Sequence, residues 1–165
     1  MSRPVVVADS GPLIALAGGG LLELLVTVFD AIHVAQAVLD ETTADRSRRG
    51  AAEIAAFVQA HAQVHPGRAD AVYAAAVSHL DEGEAQALSL ARALGCGVLI
   101  DERRGRQAAV REGLPVFGVL GVLLQAKRLG RIELVGPALK RMQANGYRMS
   151  PRLIEATLQL AEEVG

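Results

Sequence analysis

The chain has 165 residues, 51% of them apolar and 21% charged, with a net charge of −1. This fits one domain with a full core, and it argues against disorder and against a chain that holds nucleic acid by bulk positive charge. Aromatics are 3% with no Trp, and Cys96 is the lone cysteine; base-stacking platforms are poor candidates, and the expected setting is a reducing cytoplasm without disulfides.

Val5-Val6-Val7-Ala8 is a short β-branched run that stops at Asp9-Ser10-Gly11-Pro12. It reads as a buried strand feeding a helix, with Ser10 as cap and Pro12 in the first turn. The stretch from Gly11 to Phe29 is nearly all apolar, but Gly18-Gly19-Gly20 and Glu23 interrupt it. Two short packed helices are expected, rather than a membrane span or a signal peptide. Ile32–Val34 is a candidate strand, and Ala35–Thr43 a helix carrying Asp40 and Glu41. Residues 42–50 form a polar loop with Arg46, Arg48 and Arg49, followed by a helix over 51–60. Asp81-Glu82-Gly83-Glu84 opens an amphipathic helix to Leu94. Val98-Leu99-Ile100 is a second buried strand, ending at Asp101. A basic helix follows over 103–112, then helices over 121–129, 133–145 and 150–163, the last with the start signal Ser150-Pro151. Strands alternating with helical segments predict an α/β domain with a parallel sheet, whose ligands gather beyond the carboxyl ends of the strands.

Asp9, Glu41, Glu84 and Asp101 are the candidate site. Several carboxylates held close repel one another unless a cation sits between them, and hard divalent ions favour oxygen donors. Each acid also has an ordinary reading. Asp101 can be a helix N-cap, Asp81 with Glu84 a capping box, and Glu41 a solvated charge. Asp9 is hardest to assign a structural task, since Ser10 is available as the cap. Arg104 and Arg106 are candidate phosphate holders, although a solvated helix face explains them equally well. His61 and His65 stand four apart but lack further metal-binding partners. Phosphate-binding glycine loops and a serine nucleophile elbow are absent. A phosphatase using Asp9 as nucleophile would need Asp where Gly11 stands.

The segments 5–17 (VVVADSGPLIALA), 37–41 (AVLDE), 80–88 (LDEGEAQAL), 99–106 (LIDERRGR) and 118–127 (GVLGVLLQAK) together resemble the PIN-domain family, closest to its branch of unknown function. The resemblance implies a three-layer α/β/α domain over 1–130, with a short central parallel sheet, and a helical extension over 131–165 packed on it. It also implies a metal-dependent endoribonuclease of the VapC-toxin type, leaving 5′-phosphate and 3′-hydroxyl ends. Asp9, Glu41, Glu84 and Asp101 fall on the family's catalytic acids, with Asp9, Glu84 and Asp101 holding Mg²⁺ or Mn²⁺. Ser10, Arg104 and Arg106 would meet the RNA substrate. If the chain is a toxin, a small antitoxin partner that blocks the acidic crevice is implied as well, and the helices from Glu133 onward are expected to form either a homodimer contact or a partner surface. Glu102 and Glu84 stand where relatives often have Asp. The alternative is a PIN-like module that binds RNA or protein without cutting.

Overall fold

The computed structural model describes residues 2–163. The first strand, β1 (Val5–Ala8), is followed by helices α1 (Ser10–Gly18) and α2 (Leu24–Val28). The glycine triplet separates these helices, with Gly20 in the left-handed region at φ +68°, where a side chain would be strained. The apolar stretch is thus two short helices, as its glycines predicted. Among the described residues no helix is long and apolar enough to cross a membrane. Next come β2 (Ala31–Ala35), α3 (Gln36–Thr43), α4 (Ala51–His61), β3 (Ala62–His65), α5 (Ala71–Ala76) and α6 (Glu82–Leu94). The chain continues through β4 (Gly97–Leu99), α7 (Arg103–Arg111), β5 (Val116–Phe117), α8 (Val119–Arg128), α9 (Val135–Ala144) and α10 (Pro151–Leu160).

The five strands form one parallel sheet in the order β3-β2-β1-β4-β5, flanked by helices. The α/β expectation holds. Val6, Val7 and Ala8 are fully buried, as are Val98 and Leu99, which is why both strands are near-continuous apolar runs. The order places β2 on one side of β1 and β4 on the other. The crevice of such a sheet opens at this switch, beyond the strand ends. Ala8 pairs with Leu99, and the Asp9 N–H donates to the Leu99 carbonyl at 3.0 Å. Asp9 and Asp101 therefore leave adjacent strands at the same edge.

Three elements were not expected from the sequence: β3, α5 and the two-residue edge strand β5. Strand β3 (Ala-Gln-Val-His) has one β-branched residue and lies at the sheet edge, so neither pattern nor burial marks it. Helix α5 is a short Ala-rich segment whose signal is its cap: the Asp70 carboxylate accepts from the Tyr73 N–H. The 66–70 connection is tied to α6 by buried polar groups. Gln86 exchanges hydrogen bonds with the Arg68 backbone at 2.8 and 2.9 Å, and the Ser89 hydroxyl meets Asp70 at 2.8 Å. His61 and His65 do not share a helix face. His61 pairs with Glu23 at 3.3 Å, whereas His65 lies on β3 with its Nε2 2.9 Å from Nδ1 of His33.

The C-terminal helices pack beside α1 and α2 through α8, which contacts α2, α9 and α10. Ser150 caps α10 by accepting from the Leu153 N–H at 3.1 Å, with Pro151 in the first turn. Helix α9 lacks a side-chain cap of its own. Glu163 supplies it, accepting from the Val135 and Gly136 N–H groups at 2.7 and 2.9 Å while pairing with Lys127 at 2.9 Å.

Candidate active site

Asp9 stands at the N-cap position of α1 with φ −88° and ψ 169°, yet its side chain makes no capping hydrogen bond. The expected Ser10 cap is not formed. Ser10 is already the first helical residue, and its hydroxyl reaches outward to donate to Glu41 Oε2 at 2.6 Å. The Asp9 side chain is buried, and its Oδ1 has no hydrogen-bond partner. Burial raises its pKa to about 7, and the nearby carboxylates of Asp81, Glu41 and Asp101 push the same way against the Ser10 N–H. Asp9 thus lies at the centre of the acidic group.

The capping box at the start of α6 is real. Asp81 Oδ1 accepts from the Glu84 N–H at 2.8 Å, and Glu84 Oε1 accepts from the Asp81 N–H at 3.3 Å. This occupies one oxygen of Glu84. The other, Oε2, is buried without a partner. Burial first, and then Asp81, raise the Glu84 pKa to about 8, with Asp9 adding to it. The structural and functional readings of Glu84 therefore divide between its two oxygens.

Asp101 divides in the same way. It does not cap α7: Glu102 does, accepting from the Gly105 N–H at 2.9 Å. Asp101 Oδ1 instead accepts from the Val119 N–H at 3.0 Å, at the start of α8, and its Oδ2 is buried and unpartnered. Burial raises its pKa, while the Val119 N–H and the Arg106 guanidinium oppose that rise. Arg106 is itself fixed, with Nη1 donating to the Ile100 carbonyl at 2.9 Å. A Cβ at Gly118 would lie 2.9 Å from that nitrogen and 3.1 Å from Asp101 Oδ1, so glycine there leaves both groups their space.

Glu41 is exposed and lies against the first turn of α6, where partial positive charge favours a carboxylate. A Cβ at Gly83 would stand 2.3 Å from Glu41 Oε1. Gly83 thus makes room for Glu41, a role hidden within its motif. Arg104 is exposed and does not border the cavity that Asp101 and Arg106 line, so the structure brings one of the two predicted arginines to the acids. That cavity is about 1230 Å³ and reaches Tyr147 and Arg148. Burial, together with Asp101, pushes the Tyr147 hydroxyl up to about 12, so it stays protonated. Tyr147 had no sequence signal, since it lies between α9 and α10, away from every motif. A smaller pocket of about 190 Å³ on the other side includes Glu41, Arg48, Arg49 and Asn145. Arg49 there donates to Asn145 Oδ1 at 2.9 Å.

The family model described as a PIN domain (DUF3368) matches residues 5–163. The chain belongs to the PIN-domain family. The PIN fold is of nuclease type, and the match takes in β1 and β4 with their acids as well as the C-terminal helices. No curated protein matches the chain.

PIN nucleases typically use divalent metals, and the donors here fit such an ion in kind. They are carboxylate oxygens, and three of them, one each on Asp9, Glu84 and Asp101, are buried without partners. A buried unpaired oxygen is costly, and a cation relieves that cost. Among the described residues, no three His, Cys, Asp or Glu side chains are already gathered to hold an ion. The chemical fit therefore rests on the orphaned oxygens.

Proposed function

We propose that this PIN domain is a Mg²⁺- or Mn²⁺-dependent endoribonuclease, with Asp9, Glu84 and Asp101 holding the ion. The observation that carries the reading is the set of three buried, unpartnered carboxylate oxygens at the sheet switch. When bound, the ion supplies positive charge at the scissile phosphodiester and a water of lowered pKa. The chain's own residues do the rest. Glu41, oriented by the Ser10 hydroxyl and seated over Gly83, accepts a proton at the site's open face. Arg106 has N–H groups beyond the one given to Ile100, and these hold a phosphate oxygen. Arg48 and Arg49 flank Glu41 on the other side, so an RNA backbone crossing the acids meets cations at both ends. This local pairing of cations with carboxylates supports nucleic-acid binding by a chain of near-zero net charge.

A second reading, a binding module that does not cut, draws on the carboxylates not being gathered for an ion as they stand. Incubation of the protein and its Asp9→Asn variant with mixed RNA, with and without Mn²⁺, separates the two. The nuclease reading expects Mn²⁺-dependent cleavage that the variant lacks. Absence of cleavage by the unaltered protein, or equal cleavage by the variant, refutes it.

A further inference from the structure

Three of the chain's five aromatic side chains, Phe29, Phe117 and Tyr147, border the one cavity that also holds Asp101 and Arg106. The aromatics are too few for a stacking platform, but they are concentrated here. Phe117 is held edge-on against buried Phe29, with centroids 5.2 Å apart at 84°. Tyr147 is half-buried, and no hydrogen bond engages its hydroxyl among the described residues. Arg148, next to it, is exposed and makes no ion pair among the described residues.

We propose that this cavity is a subsite for an unpaired nucleobase next to the bond cut at the acidic site, with Tyr147 and Phe117 as its apolar walls and Arg106 and Arg148 for the flanking phosphates. The proposal rests on the nuclease reading and deepens it. A base stacked in a duplex cannot reach such walls, so the ligand is single-stranded RNA. At about 1230 Å³, the space exceeds the roughly 300–1,000 Å³ that a drug-sized ligand fills, so a nucleotide and its phosphates fit. Continuity argues for RNA over the apolar face of a protein partner: the cavity shares Asp101 with the acidic site, and its Arg106 and Arg148 suit phosphates. The segment between α9 and α10 would then set substrate preference through Tyr147.

The test uses the full chain in an Asp9→Asn background, in Mg²⁺ at low salt, with a fluorescein-labelled single-stranded RNA of mixed sequence read by anisotropy. Tyr147→Ala is expected to weaken binding about 10-fold, in line with the loss of one stacked base. Tyr147→Phe, which keeps the ring, should stay within about 2-fold. Gly121→Leu guards against misfolding of the tyrosine variant. Gly121 lines the cavity and a Cβ there meets nothing within 4 Å, so a larger side chain has room to start and extends into the cavity; it should weaken binding too. The chain lacks Trp and has two tyrosines, so Tyr73→Phe leaves Tyr147 as the sole emitter, and unlabelled RNA should quench it. Unchanged affinity in both Tyr147→Ala and Gly121→Leu would overturn the subsite, leave the cavity to a protein partner, and spare the nuclease reading. Absence of RNA binding by the background protein would overturn the subsite alone, whereas cleavage by it equal to that of the unaltered protein would overturn the nuclease reading on which the subsite rests.

Discussion

Replacing Asp9 by asparagine should make the metal-free protein more stable while depriving it of its ion. The Asp9 carboxyl is buried beside three other acids, and its pKa rises from 3.8 to about 7. Between those values the folded chain keeps a proton that the unfolded chain gives up. Metal-free stability therefore falls as pH rises through this window and is lowest above about pH 7. At ~1.4 kcal/mol per pH unit the shift corresponds to a ceiling of roughly 4 kcal/mol. Relaxation around the charge and water entry halve such figures readily, leaving about 2 kcal/mol. For a chain of this length that is a rise in Tm of roughly 4–8 °C. Asp9→Asn should show this gain at pH 8 in EDTA and only about a third of it at pH 5, where the native carboxyl is still protonated but the unfolded one has already ionised. Mn²⁺ should raise the Tm of the unaltered protein at pH 8 and barely move that of the variant. Thermal melts at both pH values, with and without Mn²⁺, measure all four quantities. A variant less stable than the parent at pH 8 in EDTA would refute the account of Asp9 as a destabilising buried acid.

Gly83→Ala places a Cβ 2.3 Å from Glu41 Oε1 and must displace that carboxylate from Ser10; RNA cleavage should fall about 10- to 100-fold, while Tm holds or rises because Ala favours helix. A steady-state assay beside a melt tests this, and unchanged cleavage would remove Glu41 from the site. Glu163→Ala strips α9 of its cap and Lys127 of its partner, at a cost of about 2 kcal/mol seen in urea unfolding. Burial works to raise the Glu163 pKa, but the Val135, Gly136 and Lys127 hydrogen bonds outweigh it and hold the carboxyl below its ordinary 4.5. The stability it contributes is therefore present above that value and lost as pH falls below it, so the parent and Glu163→Ala should converge in stability at low pH.

The sheet was legible where its strands are buried on both faces: Val5–Ala8 and Val98–Leu99 carry nothing but apolar side chains. It was not legible at the edge strand β3, where exposure removes the need for such a pattern. The acids Asp9 and Asp101 could be placed at one sheet edge from strand and helix order alone. How each acid splits its oxygens could not. Asp101 gives one oxygen to Val119, 18 residues away in sequence, and the cap that was its alternative reading is supplied by Glu102. Ser10 was expected to cap because it follows a strand; its hydroxyl finds a stronger, charged acceptor in Glu41, 31 residues on. Tyr147 and Gly83 matter through what they lie against, and that depends on tertiary packing rather than on local pattern.

The central claim is that Asp9, Glu84 and Asp101 form one cation site, and calorimetric titration of Mn²⁺ at about pH 6.5 in buffers of different ionisation enthalpy tests it most directly. With Asp9 near 7 and Glu84 near 8, both carboxyls are largely protonated at that pH and must ionise to bind. Binding should release roughly one to two protons per ion, and Asp9→Asn should abolish it. Absence of Mn²⁺ binding, or binding without proton release, would contradict the account.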